Sequence, residues 1–211
     1  MPRLRQVSKS EAPPEVAEVY QRLFGDRDPV AEPGTATGTP GNWWTVFALV
    51  PDVLAHAEAG FGLLSSKRRA MTPYQRELAL TRTGFAAASQ FVFSQHCKAA
   101  RAAGVPEEKL AAIPAWASAT VFDDADRALL AYVDELVLAD GRVQDATFER
   151  LRGYLSEEAI LELTYAACTY RLHATMCRAL RLEYDDVDER VAEIAAPAGV
   201  ASADVMRDIS R

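Results

Sequence analysis

The chain has 211 residues, of which 49% are hydrophobic and 25% are charged, and its formal net charge is −7 at pH 7. These globular proportions exclude a disordered chain, and the apolar stretches are too short to cross a bilayer. Because nucleic-acid binding depends on neutralising phosphates, the negative charge without a basic cluster excludes that partner and favours a small molecule.

The predicted elements are helical, since no segment shows the sustained alternation with Val, Ile and Thr that a strand needs. A first helix is predicted over 14–24, ended by Gly25. Residues 26–42 are rich in Pro, Gly and Thr, which predicts a long loop, and loops of this length often carry function. Helix signals resume at Trp43 and again at Pro51.

Two helices follow that we expect to pack against each other. Thr72 is the predicted N-cap of the first, and Ser89 begins the second, which ends at Gly104. A short break near 86–88 separates them. The chain would therefore fold back on itself at this point.

The second half continues the pattern with a helix over 123–140 that carries an apolar stripe. Asp145 and Ser156 are predicted caps of two more helices, and the second is the most apolar segment, which makes it the expected central helix. The tail over 197–211 is poorly patterned, which predicts a mobile or partner-docked arm. Together these elements predict one all-α domain over 1–211.

The start of the chain has basic residues but no apolar stretch behind them, so no secretory signal is predicted and the cytoplasm is expected. The three cysteines, Cys97, Cys168 and Cys177, are odd in number and lack CxxC spacing, which favours reduced thiols. No metal site is predicted, because the histidines are far apart and show no ligand spacing.

A carboxylate and an imidazole lie on the two helices expected to pack together, at Glu77 and His96. On the second helix Ser89, Val92 and His96 fall at i, i+3 and i+7, so they share a face that can look into a pocket with Glu77. A satisfied buried Glu–His pair without catalysis is the alternative interpretation.

This segment resembles the carboxymuconolactone decarboxylase family, which includes the alkylhydroperoxidase D proteins. The family pattern has a Glu, cysteines twelve and fifteen residues later, and a His four residues after the second cysteine. Glu77 and His96 match, but Ser89 and Val92 stand at the cysteine positions. The resemblance implies an alkylhydroperoxidase D-like helical bundle that forms a homo-oligomer, either a trimer or a hexamer.

The missing cysteines disfavour peroxide reduction, which needs one thiolate to attack and a second thiol to resolve the sulfenic acid. The decarboxylase branch also lacks CxxC and often has aromatic residues here, like Phe91 and Phe93. The resemblance therefore implies a cofactor-independent lyase for a small carboxylated ring or lactone. His96 would polarise the carbonyl or protonate the enolate, and Glu77 would orient its ring. A non-catalytic, oligomeric ligand-binding protein is the remaining alternative.

Further candidates for substrate binding, besides Ser89 and Val92, are side chains suited to hold a carboxylate or a ring. Arg82 can hold a carboxylate, although its position five residues after Glu77 can also turn it away. Phe93 is a candidate pocket wall. Trp43 and Trp44 can close a pocket over a ring, pack in the core or fill a subunit interface.

Tyr170 and His173 lie three residues apart on the most apolar helix, where polar groups need partners or a purpose. They can line the same pocket from its other wall. A satisfied network in the core is the alternative.

Overall fold

In a computed structural model, the chain is described over residues 1–186 and 192–195, and these residues form helices without a strand. The helices are α1 (Pro14–Phe24), α2 (Asn42–Phe47), α3 (Pro51–Ser65), α4 (Pro73–Ala86), α5 (Gln90–Ala102), α6 (Glu107–Ala112), α7 (Asp124–Leu138), α8 (Asp145–Arg152) and α9 (Glu157–Leu180). The predicted all-α class is confirmed. The predicted tail at 197–211 lies outside the described residues, and within them no helix has the length and apolar character to span a membrane.

Side-chain caps set the starts of the main helices. Thr72 caps α4, Ser89 caps α5 and Ser156 caps α9, and each side chain accepts a backbone N–H of the first turn. Such bonds satisfy donors that a helix start leaves unpaired. The start of α8 differs from the prediction, because Gln144 is the N-cap and Asp145 is the first helical residue.

The backbones of α4 and α5 come unusually close at Gly84. A Cβ atom at this position would lie 2.5 Å from the backbone nitrogen of Phe93, so the contact requires glycine. The connection turns sharply through Ala88, whose φ is 54°. This close approach fixes the position of α5 along α4 and brings the two predicted catalytic residues onto facing turns.

The central helix is α4, not α9 as the sequence suggested. Helix α4 contacts α5, α7 and α9, and all its residues over 77–84 are buried. Helix α9 instead exposes Leu161, Tyr165 and Leu172. Its apolar composition misled the prediction because part of that hydrophobic surface faces outward.

Buried apolar side chains of the described residues form two clusters, and α4 and α5 contribute to both. The first cluster holds the aromatic residues of α2 and α3 together with Tyr170 of α9. The second is built around α7 and includes Phe93. The predicted site residues are therefore divided between two regions of the interior.

Candidate active site

Glu77 and His96 form a buried hydrogen-bonded pair. The distance from Nδ1 of His96 to Oε2 of Glu77 is 2.8 Å, and the two residues are 3% and 1% exposed, respectively. Arg76 donates from Nε to the other carboxylate oxygen at 2.7 Å, and its Nη1 binds the carbonyl of Leu64. The structure thus brings together the two residues that the sequence predicted as catalytic.

The electrostatics of the pair favour an ionised Glu77. Burial alone raises the pKa of this carboxyl group, but the hydrogen bond and charge from His96, together with Arg76, outweigh it, so the pKa lies below its ordinary value. An ionised carboxylate holds a proton on Nδ1 of His96. Nε2 is then the imidazole nitrogen available to a ligand.

A cavity of about 360 Å³ lies beside His96, a size suited to a small ring. Its walls include five aromatic side chains, those of Trp43, Trp44, Phe61, Phe91 and Tyr170. The ring of Tyr170 meets that of His96 edge-on, with centroids 4.2 Å apart. Glu77 does not line the cavity, so a bound ligand can touch the imidazole but not the carboxylate behind it.

The predicted long loop forms another wall of the cavity. Thr35, Ala36, Thr37 and Thr39 all line it. Within the loop, the hydroxyls of Thr35 and Thr39 lie 2.8 Å apart and share a hydrogen bond. A loop predicted from its Pro and Gly content thus shapes the candidate site.

Side chains distant in sequence hold this loop in place. Lys98 of α5 donates to the carbonyl of Thr37 at 3.0 Å, and Tyr184 donates to the carbonyl of Gly38 at 2.7 Å. The carboxylate of Glu183 accepts the backbone N–H groups of Gly41 and Trp43, at 2.9 and 2.6 Å. The segment after α9 therefore fixes both the loop and the start of α2.

His173 lines the cavity from α9, as one of the two interpretations of this residue predicted. Its ring lies 4.9 Å from that of Phe61 and 5.7 Å from that of Trp43, measured between centroids. Burial, with a smaller effect from the charge of His56, lowers the pKa of His173 to about 4, so the imidazole is neutral at pH 7. Its Nδ1 atom is buried and has no hydrogen-bond partner among the described residues.

Arg82 does not reach the cavity, which corrects its prediction as a carboxylate anchor. Its guanidinium forms a two-point ion pair with Asp134 of α7, at 2.6 and 2.9 Å, and donates to the carbonyl of Ile113. Five residues correspond to about 140° around a helix, which turns Arg82 away from the face of Glu77.

Ser89 and Phe93 also lie outside the cavity, although they were predicted as binding residues. The hydroxyl of Ser89 donates to Asp185 at 2.5 Å while capping α5. Phe93 packs against Phe85, with ring centroids 5.6 Å apart, in the second cluster. Of the predicted face on α5, Val92 and His96 line the cavity.

Arg22, Gln95 and Ala99 also line the cavity, although they were not predicted from the sequence. Gln95 and Ala99 could have been found, because they follow Val92 by three and seven residues on the same helical face. Arg22 lies on α1, and no local sequence signal connects it with the other residues of the site.

The cysteines are free thiols in the structure, with Cys97 and Cys177 buried and Cys168 exposed. Cys97 belongs to the second cluster although it follows His96 directly. Burial raises the pKa of its thiol to about 12, which suppresses the thiolate at neutral pH. No group of three His, Cys, Asp or Glu side chains within the described ranges is arranged to hold a metal ion.

Comparison with known families gives a direct match over the segment that carries the pair. Residues 51–135 match the model of the carboxymuconolactone decarboxylase family. This segment of the chain is therefore similar to the carboxymuconolactone decarboxylase family. Glu77 and His96 both lie inside the matched region. No curated protein matches the chain.

Solved structures confirm the alkylhydroperoxidase D-like fold. A peroxidase-related protein from Ralstonia eutropha JMP134, described as an alkylhydroperoxidase AhpD core, has a TM-score of 0.65 and 18% identity over 87% of this chain and 95% of its own. One from Silicibacter sp. TM1040 has a TM-score of 0.64 and 14% identity, covering 92% and 98%. The debrominase Bmp8, solved with 2,3,4-tribromopyrrole, has a TM-score of 0.63 and 18% identity, covering 86% and 92%. These identities establish similarity of fold alone.

Proposed function

We propose that this protein is a member of the carboxymuconolactone decarboxylase family and a lyase that decarboxylates a small carboxylated ring or lactone by acid/base chemistry. The observation that carries the proposal is the buried Glu77–His96 pair, whose imidazole alone borders the aromatic cavity. The Bmp8 structure with a halogenated pyrrole is a further reason to propose a small ring as the ligand.

In the proposed reaction, the bond between the ring carbon and the carboxylate breaks and carbon dioxide leaves. The electron pair passes to the adjacent carbonyl, giving an enolate, and His96 delivers a proton from Nε2 to the ring carbon. The anionic Glu77 stabilises the doubly protonated imidazole before this transfer. A proton from water then restores the doubly protonated imidazole, the hydroxide left behind combines with carbon dioxide to give bicarbonate, and the scheme uses no cofactor.

Arg22 takes the role proposed earlier for Arg82, because it is the cationic residue that lines the cavity in the described part of the chain. One of its terminal nitrogens, Nη2, binds Glu58. No described residue hydrogen-bonds to Nη1 or Nε, which can therefore meet a substrate carboxylate. Its side chain is 33% exposed, which suits a group that receives the substrate from solvent.

The test is to measure carbon dioxide release from a panel of carboxylated lactones and cyclic β-keto acids. Glu77→Gln and His96→Asn should each reduce turnover by about a hundredfold or more, the usual scale of acid/base catalysis, with unchanged circular dichroism. Glu149→Gln, on the exposed surface of α8, is the matched control. Full turnover in Glu77→Gln would contradict the proposal.

A thiol peroxidase is a second candidate, suggested by the peroxidase-related names of the structural neighbours. The site disfavours a peroxidase, since Ser89 stands at a cysteine position and its hydroxyl is hydrogen-bonded to Asp185. The nearby thiol of Cys97 has a raised pKa, which suppresses the reactive thiolate. Peroxide consumption that depends on an added thiol, and disappears in Cys97→Ser, would favour this candidate over the lyase. Ligand binding without turnover in every assay would favour a binding protein.

We also propose a cytoplasmic homo-oligomer, either a trimer or a hexamer. Leu161, Tyr165 and Leu172 expose 71%, 48% and 56% of their surface on α9, an apolar strip that a second copy would cover. Light scattering coupled to gel filtration measures the assembly. Leu161→Glu should reduce its size, while Glu149→Gln should not.

A further inference from the structure

Two buried polar atoms at the cavity have no hydrogen-bond partner among the described residues. They are Oε1 of Gln95 and Nδ1 of His173. The two residues are 7% and 4% exposed, so bulk water does not readily compensate them. Because most buried polar groups in proteins are paired, such atoms need a specific explanation.

The location of these two atoms supplies an explanation for their lack of partners. Gln95 on α5 and His173 on α9 both line the cavity that His96 borders. The remaining unpartnered side-chain atom of this kind in the described chain is Nε of Arg69, whose guanidinium lies 3.6 Å from Glu162 in an ion pair outside the cavity. Unsatisfied polar groups are thus concentrated where a ligand would lie.

The chemistry of the two atoms identifies the ligand group. An amide oxygen accepts a hydrogen bond and cannot donate one, whereas a neutral imidazole nitrogen donates or accepts according to its tautomer. A hydroxyl group both donates and accepts, so it satisfies either atom. An ionised carboxylate only accepts hydrogen bonds, so it cannot satisfy the amide oxygen of Gln95, and a methyl group would leave both atoms unpaired.

We propose that Gln95 and His173 form a hydroxyl-binding subsite, so that the substrate is a small hydroxylated ring. This inference rests on the proposed function for the choice of cavity, and it adds two residues that determine specificity. The aromatic walls bind the ring, and the two polar residues distinguish a hydroxyl from an apolar substituent of similar size.

The experiment compares phenol with toluene, two rings of nearly equal shape, by calorimetry and by tryptophan fluorescence. The wild-type protein should bind phenol about tenfold more tightly, the discrimination expected when one buried hydrogen bond is made or lost. Gln95→Leu and His173→Phe should each reduce this preference, and the double variant should remove it. Toluene should bind the variants at least as well as it binds the wild type.

Equal binding of the two rings by the wild type, absence of phenol binding, or a preference that survives the double variant would each overturn the subsite. Gln21→Leu, at an exposed glutamine on α1, is the matched control and should keep the preference. If His173→Phe fails to fold, the effect of Gln95→Leu on the preference for phenol over toluene still tests the subsite.

Two further readouts separate this subsite from a structural role and from the proposed reaction. Both variants remove an unpaired buried polar atom, so the ligand-free melting temperature should stay level or rise, whereas loss of a structural contact would lower it. Glu77→Gln should keep the preference for phenol. If no turnover is found, the preference for phenol can therefore still confirm the subsite. If instead the preference for phenol is absent, the subsite fails, and turnover measurements still test the role of Glu77.

Discussion

Glu77 carries a negative charge in an almost completely buried position because two donors, Arg76 and His96, compensate it. Arg76 binds one carboxylate oxygen and His96 binds the other, so the carboxylate is neither solvated nor unpaired. Removing one partner of such a buried ion pair is strongly destabilising, because the other charge is left uncompensated. This explains why conservative changes such as Glu77→Gln are the informative ones at this site.

The neutral state of His173 predicts a pH dependence of stability. Its pKa is about 4 in the folded protein, against an ordinary value of 6.5, so the unfolded chain binds a proton more readily between these values. Stability should therefore fall as the pH drops from about 6.5 to about 4, by an amount on the order of 3 kcal/mol from this residue.

Urea unfolding at pH 7 and pH 4.5 measures this effect. The wild-type protein should lose more stability between the two values than His173→Phe, which carries no titrating group at the position. An equal loss in both proteins would show that other groups control the acid response. His56→Gln, at the exposed neighbour, provides the comparison variant.

At the scale of the elements, the contact between α4 and α5 depends on the absence of a Cβ atom at Gly84. Gly84→Ala should lower the free energy of unfolding by at least about 1–3 kcal/mol, because the added Cβ would meet the backbone of Phe93. It should also reduce turnover by shifting His96 relative to Glu77. Urea unfolding and initial rates measure the two effects.

Gly60 on α3 offers the matched control, since a Cβ there meets no atom within 4 Å. Gly60→Ala should leave stability unchanged or raise it by up to about 1 kcal/mol, as expected for alanine in a helix. Similar losses in the two variants would contradict the role assigned to the close approach.

The loop over the cavity should depend on Glu183. Removing its carboxylate in Glu183→Ala leaves two backbone N–H groups unpaired, with a cost of about 1–3 kcal/mol. Hydrogen exchange at Gly41 and Trp43 should accelerate and phenol affinity should fall, while Glu149→Ala changes neither. Unchanged exchange at both amides would rule out this role of Glu183.

Local sequence chemistry predicted the helices and the proximity of Glu77 and His96. The caps Thr72, Ser89 and Ser156 act on their own first turns, and the spacing of Glu77 and His96 needs one helical hairpin to bring them together. Contacts between distant segments were not predictable in this way. Arg82 points away because Asp134, fifty-two residues further along, binds it.

At the scale of the whole molecule, the division of the interior into two clusters separates buried residues that line the cavity from buried residues that only pack the core. Leu130→Ala lies in the second cluster and should cost about 2–5 kcal/mol without changing phenol affinity in the folded state. Phe61→Ala, in the first cluster, should reduce both quantities because Phe61 lines the cavity. Urea unfolding measures the stability of both variants, and calorimetry measures their affinity for phenol. Equal losses of phenol affinity in Leu130→Ala and Phe61→Ala would contradict the separation.

This division also explains which cavity residues the sequence could not place. Val92 and Phe93 are neighbours on one helix, yet they belong to different clusters, because successive helical residues point about 100° apart. Which direction meets the cavity depends on how α2, α3 and α9 pack against α5. Sequence periodicity identifies both faces but does not distinguish them.

The position of Glu77 behind His96 has an isotopic consequence. A ligand filling the cavity would contact the imidazole and separate it from bulk water, so the proton delivered to the ring carbon would be the one that Nε2 of His96 already carries. When protein equilibrated in ordinary water is mixed with substrate in heavy water, the product of the first turnover would then contain part of this original hydrogen. The fraction of ordinary hydrogen in that product would report how slowly Nε2 exchanges with solvent while the cavity is filled.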